Sequence, residues 1–210
     1  MIRILIADDH PIVRQGFKQV LSDTADLLVA DEAGSGQEVL ALVAKKEYDA
    51  ILLDISMPGK SGLEVLKELK ALNPKIPVLI LSIYPEEQYA IRALKAGAAG
   101  YLTKASAPEE LISAIRKVSR GGKYISLSLA EKLAYEIDGD AEKAPHETLS
   151  DREYQILLMI ASGKTVSDIA EEVCLSVKTV STYRARILDK MKLKNNAEIT
   201  LYAVQNKLVG

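Results

Sequence analysis

Three acidic residues and one lysine hold most of the chemistry that this chain could perform. Asp8 and Asp9 follow the apolar run 2–7, Asp54 closes the run 50–54, and Lys104 follows 99–103. In an open parallel sheet the carboxyl ends of the strands line one edge, where ligands bind, so these distant groups would converge. Two carboxylates on one loop facing a third repel one another, which is costly unless a divalent cation lies among them. Mg2+ suits that setting, because it prefers oxygen ligands, keeps several waters and accepts one or two protein carboxylates. With such an ion bound, a carboxylate becomes able to attack a phosphoryl group. Asp54 is the best-placed nucleophile, since the turn 55–62 holds no other acid. Lys104 would bind a phosphoryl oxygen as a point charge, and Ser82, ending the run 77–82, would donate a hydroxyl hydrogen bond to another. Together these groups would hold an aspartyl phosphate. Taken singly, each has a plainer role, an aspartate as a helix cap or a lysine as a solvated surface charge. Their coincidence at four strand ends argues against that.

The elements that must position these groups are legible in hydrophobic periodicity. Short β-branched runs at 2–7, 27–33, 50–54, 77–82 and 99–102 alternate with helical spacing over 11–21, 37–46, 63–72, 85–96 and 108–120. That is the pattern of an α/β, (βα)5 doubly wound parallel sheet with helices on both faces. Pro11, Pro85 and Pro108 each stand where a helix would begin, a place where a missing N–H is harmless. Gly121-Gly122 ends the alternation, and 138–145 is a polar, turn-rich run that reads as a linker. A short helix is expected over 127–137. The organisation expected is a first domain at 1–120, a linker at 121–148 and a second, smaller all-α domain at 149–210.

The 210 residues include a single cysteine, Cys174, which cannot form an internal disulfide. The N-terminus reads as a strand, not as a basic segment followed by a long apolar stretch, and no apolar run approaches the ~20 residues of a membrane span. A cytoplasmic protein without a membrane partner is expected. The net charge of −2 is divided unevenly, with 18 Lys+Arg against 22 Asp+Glu in 1–148 and 9 against 7 in 149–210. That excess alone would not mark a nucleic-acid binder, so the placement of the basic residues matters more.

From Leu149 onward strand signals vanish and four helices are expected. Ser150-x-x-Glu153, Asp168-x-x-Glu171 and Asn195-x-x-Glu198 have capping-box spacing, and Ser176 is the expected cap of the third helix. The stretch 165–191 reads as helix, a short turn at Cys174-Leu175-Ser176, and a second helix. On a helical wheel of the latter, Val177, Val180, Ile187, Leu188 and Met191 share one face, and Lys178, Ser181, Thr182, Ala185, Arg186 and Asp189 the other. Small side chains flanked by cations suit the major groove of double-stranded DNA. Lys178, Thr179, Ser181, Thr182, Arg184, Ala185, Arg186 and Lys190 are the candidate DNA contacts. Arg184 falls near the packed edge of the wheel, where an ion pair would serve it as well.

The segments Asp8-Asp9-His10, Leu53-Asp54-Ile55-Ser56-Met57-Pro58-Gly59-x-x-Gly62, Ser82 and Tyr101-Leu102-Thr103-Lys104 resemble the flavodoxin-like receiver domain of bacterial two-component response regulators. The resemblance spans roughly 1–120. It implies that Asp54 accepts phosphate from a sensor histidine kinase, and that Asp8 and Asp9 position Mg2+ with Asp54 and the backbone carbonyl of Ser56. It also implies that Ser82 and Tyr101 form a switch pair and that Lys104 binds the phosphoryl group. Leu149-Ser150-Asp151-Arg152-Glu153, with Ile169-Ala170-Glu171-Glu172 and Ser176-Val177-Lys178-Thr179-Val180, resembles the LuxR-type helix-turn-helix of NarL/FixJ regulators. That resemblance implies promoter DNA as a partner, Lys178 and the 181–186 stretch against DNA, and a homodimer formed through 197–207. Many members have His where Tyr183 stands, and often Lys or Asn where Ser181 stands.

Two rival readings remain at this point. A small Mg2+-dependent phosphatase of the haloacid dehalogenase type would need a second acid two residues beyond Asp54, where this chain has Ser56, so repeated turnover is not expected. A protein-interaction adaptor would receive phosphate without touching DNA. Kinase choice is expected to involve the first helix, around Pro11, Ile12, Arg14 and Gln15.

Overall fold

The structure, a computed structural model, describes residues 1–127, 129–131, 133 and 144–209. It divides into two compact units, Met1–Leu133 and Ala134–Gly210. In the first, strands β1 (Ile2–Ala7), β2 (Leu27–Ala33), β3 (Ala50–Asp54), β4 (Val78–Ser82) and β5 (Gly100–Thr103) form one sheet in the order β2-β1-β3-β4-β5. Every pairing is parallel. Helices α1 (Pro11–Ser22), α2 (Gly36–Val43), α3 (Gly62–Leu72), α4 (Glu86–Lys95) and α5 (Pro108–Ser119) connect the strands. This is the flavodoxin-like architecture expected, with strand boundaries shifted by a residue at β4 and β5. Helix α2 stops three residues before the expected 46, and Pro85 caps α4 from outside instead of opening it.

Alternation along the strands divides the core. One face carries Ile4, Ile6, Ala50, Leu52, Leu79 and Leu81 against Leu21 of α1 and Leu111, Ala114, Ile115 and Val118 of α5. The other carries Leu5, Ile51, Leu53, Val78 and Ile80, all fully buried, with Val39 of α2, Val65, Leu66 and Leu69 of α3 and Ala90 of α4 buried on that side. Each such aliphatic side chain stabilises the fold by about 1.5–3 kcal/mol relative to exposure, so the sheet's position is strongly determined. The ladder pairs Ala7 with Leu53, Asp54 with Leu81 and Ser82 with Thr103. The strands therefore end level, and the residues that follow them are held side by side.

The first unit runs past the expected boundary at 120. Tyr124 donates its backbone N–H to Ala99 and bridges to Gly100, and Lys123 Nζ donates to the Ala98 carbonyl at 2.5 Å. Gly100 permits this approach, because a Cβ there would lie 2.5 Å from the Tyr124 carbonyl oxygen. The described residues between 127 and 133 are helical, and Leu129 is buried. Part of the stretch read above as linker thus packs with the sheet. Residues 134–143, which hold the rest of the expected helix and most of the polar run, lie outside the described residues.

In the second unit a 3-10 turn (Pro145–Thr148) precedes α6 (Asp151–Ala161), α7 (Val166–Glu172), α8 (Val177–Met191) and α9 (Asn196–Gln205). Ser150 and Glu153 form the expected capping box at α6. At α7 the box is Thr165 with Asp168, three residues earlier than the Asp168-Glu171 spacing suggested. Asp168 serves as the acid of the box instead of its cap, because the helix begins at Val166. Asn195 caps α9, while Glu198 reaches back to the Lys194 amide and not to its own cap residue. Arg152, nearly inaccessible, donates to Gln155 Oε1 at 2.7 Å and to the Val173 carbonyl at 3.0 Å, tying α6 to the end of α7.

Two expected outcomes follow from this packing. A Cβ on Gly62 would lie 2.0 Å from the Asp54 carbonyl oxygen, so Gly62→Ala forces the end of β3 to move, and calorimetric melting should show a loss of about 1–3 kcal/mol. Glu153, 2% exposed, receives Lys190 Nζ at 2.6 Å. Burial raises its pKa, but the Lys190 and Ser150 hydrogen bonds outweigh that and the net shift is downward. A depressed carboxylate contributes stability above its ordinary value of 4.5 that is lost as pH falls through the lower folded value. The melting temperature of Glu153→Gln should therefore fall below wild type at neutral pH, and the gap should close on acidification.

Candidate functional site

The level strand ends bring Asp8, Asp54, Ser82 and Lys104 to one edge of the sheet. Asp8, Asp54 and Ser82 are 1%, 2% and 0% exposed. Lys104 Nζ donates to Asp54 Oδ2 at 2.8 Å and lies 2.6 Å from Asp8 Oδ2. Its own backbone N–H is held by the Ser82 carbonyl at 2.7 Å, which carries the lysine from the end of β5 over β4. Asp9 is half-buried beside this pair, and the ligand atoms of Asp8, Asp9, His10 and Asp54 all lie within 4.8 Å of one another.

The electrostatics follow from burial. Desolvation is the largest effect on Asp54 and pushes its pKa up; Lys104 opposes this and Asp8 adds to it. Burial works against the Lys104 ammonium, yet Asp54 and then Asp8 prevail, so its pKa is raised. Among the described residues, Asp54 Oδ1 is buried without a hydrogen-bond partner, as is the Ser56 hydroxyl beyond it. One lysine thus neutralises part of a charge cluster that retains an unsatisfied carboxylate oxygen. A donor set made of carboxylate oxygens, one of them orphaned, fits a hard divalent cation, and the cluster is of the kind that binds Mg2+.

The loops that hold these groups are themselves tied down. Arg14 of α1 donates to the Asp8 carbonyl at 2.7 Å and to Glu32 at 3.1 Å. Gly62 N–H donates to the Ile55 carbonyl at 2.8 Å, and Ser61 with Glu64 forms a capping box that starts α3 there. Gly62 stood in the motif read from sequence, and its reason is the close backbone contact. The support from Arg14 had no sequence signal, because its partners come from β2 and a main-chain carbonyl. Ile12, also named for the kinase face, is 87% exposed.

Ser82 and Tyr101 are joined by a side-chain hydrogen bond and also through a third residue. The Tyr84 amide donates to Ser82 Oγ at 3.1 Å, and the Tyr101 hydroxyl donates to the Tyr84 carbonyl at 2.8 Å. Tyr101 is 1% exposed, so its ring lies inside the fold, and burial drives its phenol pKa well above the ordinary value.

In the second unit, α7, a turn and α8 form a helix-turn-helix. Cys174 sits in the turn with φ 52°, a left-handed conformation, and Ser176 caps α8 by accepting from the Thr179 amide. Val180, Ile187 and Met191 are buried, and Lys178, Ser181, Thr182, Ala185 and Arg186 are exposed on the opposite face. Val177, placed on the packed face above, is instead 51% exposed, since it lies in the first turn of α8. Thr179 Oγ1 pairs with Ser176 Oγ at 2.8 Å, and the Arg186 guanidinium lies 5.9 Å from the centre of the Tyr183 ring. Arg184 donates to Asn196 Oδ1 at 2.5 Å and Lys190 is paired with Glu153, so both are engaged within the unit.

Comparison with known proteins agrees with this geometry. Residues 4–116 match the response regulator receiver domain family, and residues 147–203 match the bacterial regulatory proteins of the luxR family. The response regulator GacA of Pseudomonas aeruginosa is 40% identical over 210 residues, covering 100% of this chain and 98% of its own. The response regulator UvrY of Escherichia coli K12 is 36% identical over 209 residues, covering 99% and 96%. Among solved structures, RcsB from Salmonella enterica serovar Typhimurium, bound to promoter rprA with the phosphomimetic BeF3-, superposes with a TM-score of 0.65 at 25% identity, over 96% of this chain and 98% of that one. A LuxR-family response regulator from Aurantimonas sp. SI85-9A1 gives 0.61 at 31% identity, over 66% of this chain and 99% of that one. The chain belongs to the NarL/FixJ family of two-component response regulators, joining a receiver domain to a LuxR-type DNA-binding domain.

Proposed function

We propose that Asp54 is the phosphoacceptor for a sensor histidine kinase, and that its phosphorylation controls binding of the second unit to promoter DNA. The observation that carries this reading is the orphaned Asp54 Oδ1, buried beside a lysine already seated on the other carboxylate oxygen. An Asp54 oxygen attacks the phosphorus of a phosphohistidine, the new O–P bond forms, the P–N bond breaks and the imidazole leaves. Asp8, Asp9, Asp54 and the Ser56 backbone carbonyl would hold a Mg2+, which would supply neutralisation of the phosphoryl charge. Lys104 takes a phosphoryl oxygen from its place between the two carboxylates, and the Ser82 hydroxyl donates to another. With Ser56 two residues on, no second acid is in place to activate water for turnover. The protein acts as a switch and not as an enzyme.

Coupling runs through the turn after β4. Ser82 Oγ holds the Tyr84 amide and Tyr84 holds the Tyr101 hydroxyl, so a hydroxyl drawn toward a phosphoryl group shifts the seat of Tyr101. A phosphoryl group that contacts Ser82 and Lys104 better in one arrangement favours that state in proportion to the difference.

On DNA, Lys178, Ser181, Thr182, Ala185 and Arg186 are the contacts that the exposed face supports, with Thr179 at its rim. Arg184 and Lys190 reach DNA only by leaving Asn196 and Glu153. Leu201 and Val204, 57% and 54% exposed on one side of α9, suit a second copy of the chain. A homodimer would place two half-sites about 10 bp apart. Among the described residues no helix is long and apolar enough to cross a membrane, and a cytoplasmic setting suits this reading.

Phosphorylation by a small phosphodonor with Mg2+ should label wild type and leave Asp54→Asn unlabelled but folded, with labelling tightening promoter binding; label retained by Asp54→Asn would move the acceptor elsewhere. Arg186→Ala should weaken DNA binding and lower the slope of log affinity against log salt by ~1, the release expected for one phosphate contact. An unchanged slope in a salt titration would remove Arg186 from the phosphate contacts.

A further inference from the structure

His10 follows the acidic pair directly, and its ring is turned onto the cluster. Its Nδ1 lies 2.9 Å from Asp9 Oδ1 and 3.3 Å from Asp8 Oδ1, while its backbone N–H donates to Asp8 Oδ1 at 2.9 Å. The residue occupies the N-cap position of α1, yet its side chain makes no capping bond. The ring is therefore not needed by the helix. With its side chain 64% exposed, the ring's contact with Asp9 competes with water and is readily exchanged for another partner.

The spacings fit a shared cation. An octahedral ion with ligands at ~2.1 Å separates neighbouring donors by ~3.0 Å, and the two Nδ1 separations bracket that edge. Independently, Asp54 Oδ1, on a side chain 2% exposed, is buried without a partner among the described residues, and Asp54 belongs to the same cluster. The acidic residues alone would offer only oxygen. His10 adds the one nitrogen, and imidazole favours later transition metals, whereas carboxylates and water suit Mg2+ and Mn2+.

We infer that His10 Nδ1 serves as an additional ligand at the acidic crevice, so that the site takes Mn2+ and, more tightly, Ni2+-like cations as well as Mg2+. This rests on the reading of the crevice as the Mg2+ site. Mg2+ keeps water at the His10 position, while a cation of greater nitrogen affinity takes the ring. The gain from His10 therefore rises along the series Mg2+, Mn2+, Ni2+.

The full chain should be titrated calorimetrically with each of the three chloride salts, and the Mn2+-loaded chain examined by pulsed electron paramagnetic resonance for imidazole nitrogen coupling. Wild type should show that coupling. His10→Ala should lose it, weaken Ni2+ binding by about tenfold or more and leave Mg2+ affinity within about twofold. The chain's other histidine is His146, so coupling that survives in His10→Ala would overturn the assignment, as would its absence from wild type. Mg2+ that binds wild type with Ni2+ no more sensitive to His10 than Mg2+ overturns this inference alone. Failure of wild type to bind any of the three overturns the metal reading beneath it as well. The variant His146→Ala, which should keep the coupling, assigns it to His10 even if His10→Ala misfolds, and loss of the coupling in His146→Ala would overturn the assignment.

Discussion

The contact on which the first unit turns is a lysine held between two buried carboxylates. Asp8 and Asp54, almost removed from water, would each lose much of the solvation that makes a charge affordable. Lys104 restores part of it at 2.6 and 2.8 Å, and leaves one Asp54 oxygen unsatisfied. A cluster balanced in this way is incomplete by construction. On the proposed function, a cation and a phosphoryl group would complete it. The strand order that sets β1 beside β3, the missing side chain at Gly62 and the grip of Arg14 on the Asp8 carbonyl all hold that balance in place.

The helix-turn-helix solves a different problem with the same means. Glu153 is buried, caps its own helix and is reached by Lys190 from α8, while Arg152 closes on the carbonyl that ends α7. Charged residues therefore fix the angle at which α8 is offered. The cations nearest the core are spent on this, while Lys178 and Arg186 stay exposed on the outer face. Dividing the basic residues in this way explains how a unit with so small a charge excess can still present a positive surface.

Much of this was legible in the sequence, and what was not has a common cause. Strand ends at Ala7, Asp54 and Ser82 were marked because a change from apolar to acidic or hydroxyl residues coincides there with a change of period. The cap of α7 was read three residues late, since Asp168 suits either end of a capping box and only the helix start decides between them. The first domain was ended at Gly121-Gly122, which does break α5, but Tyr124 returns to the sheet because Gly100 leaves room for it. Val177 was assigned to the packed face by angle alone, although burial also depends on how far a neighbouring helix extends. The pairings of Lys190 with Glu153 and of Arg184 with Asn196 were not legible, although Arg184 was read near the packed edge of the helix, because local spacing carries no sign of those partners. All but the cap of α7, whose partner Thr165 is local, involve a partner distant in the chain.

Interleaving the site among four strands also orders its completion during synthesis. The two buried carboxylates are both in place once β3 pairs with β1, but the cation that reconciles them belongs to β5, the last strand made and an edge of the sheet. A nascent chain that ends before Lys104 carries an unreconciled pair of acids, and no shorter fragment can stand in for the whole. The charge balance of the site is reached before the fold is closed, since α5, which covers one face of the core, follows Lys104 in the chain.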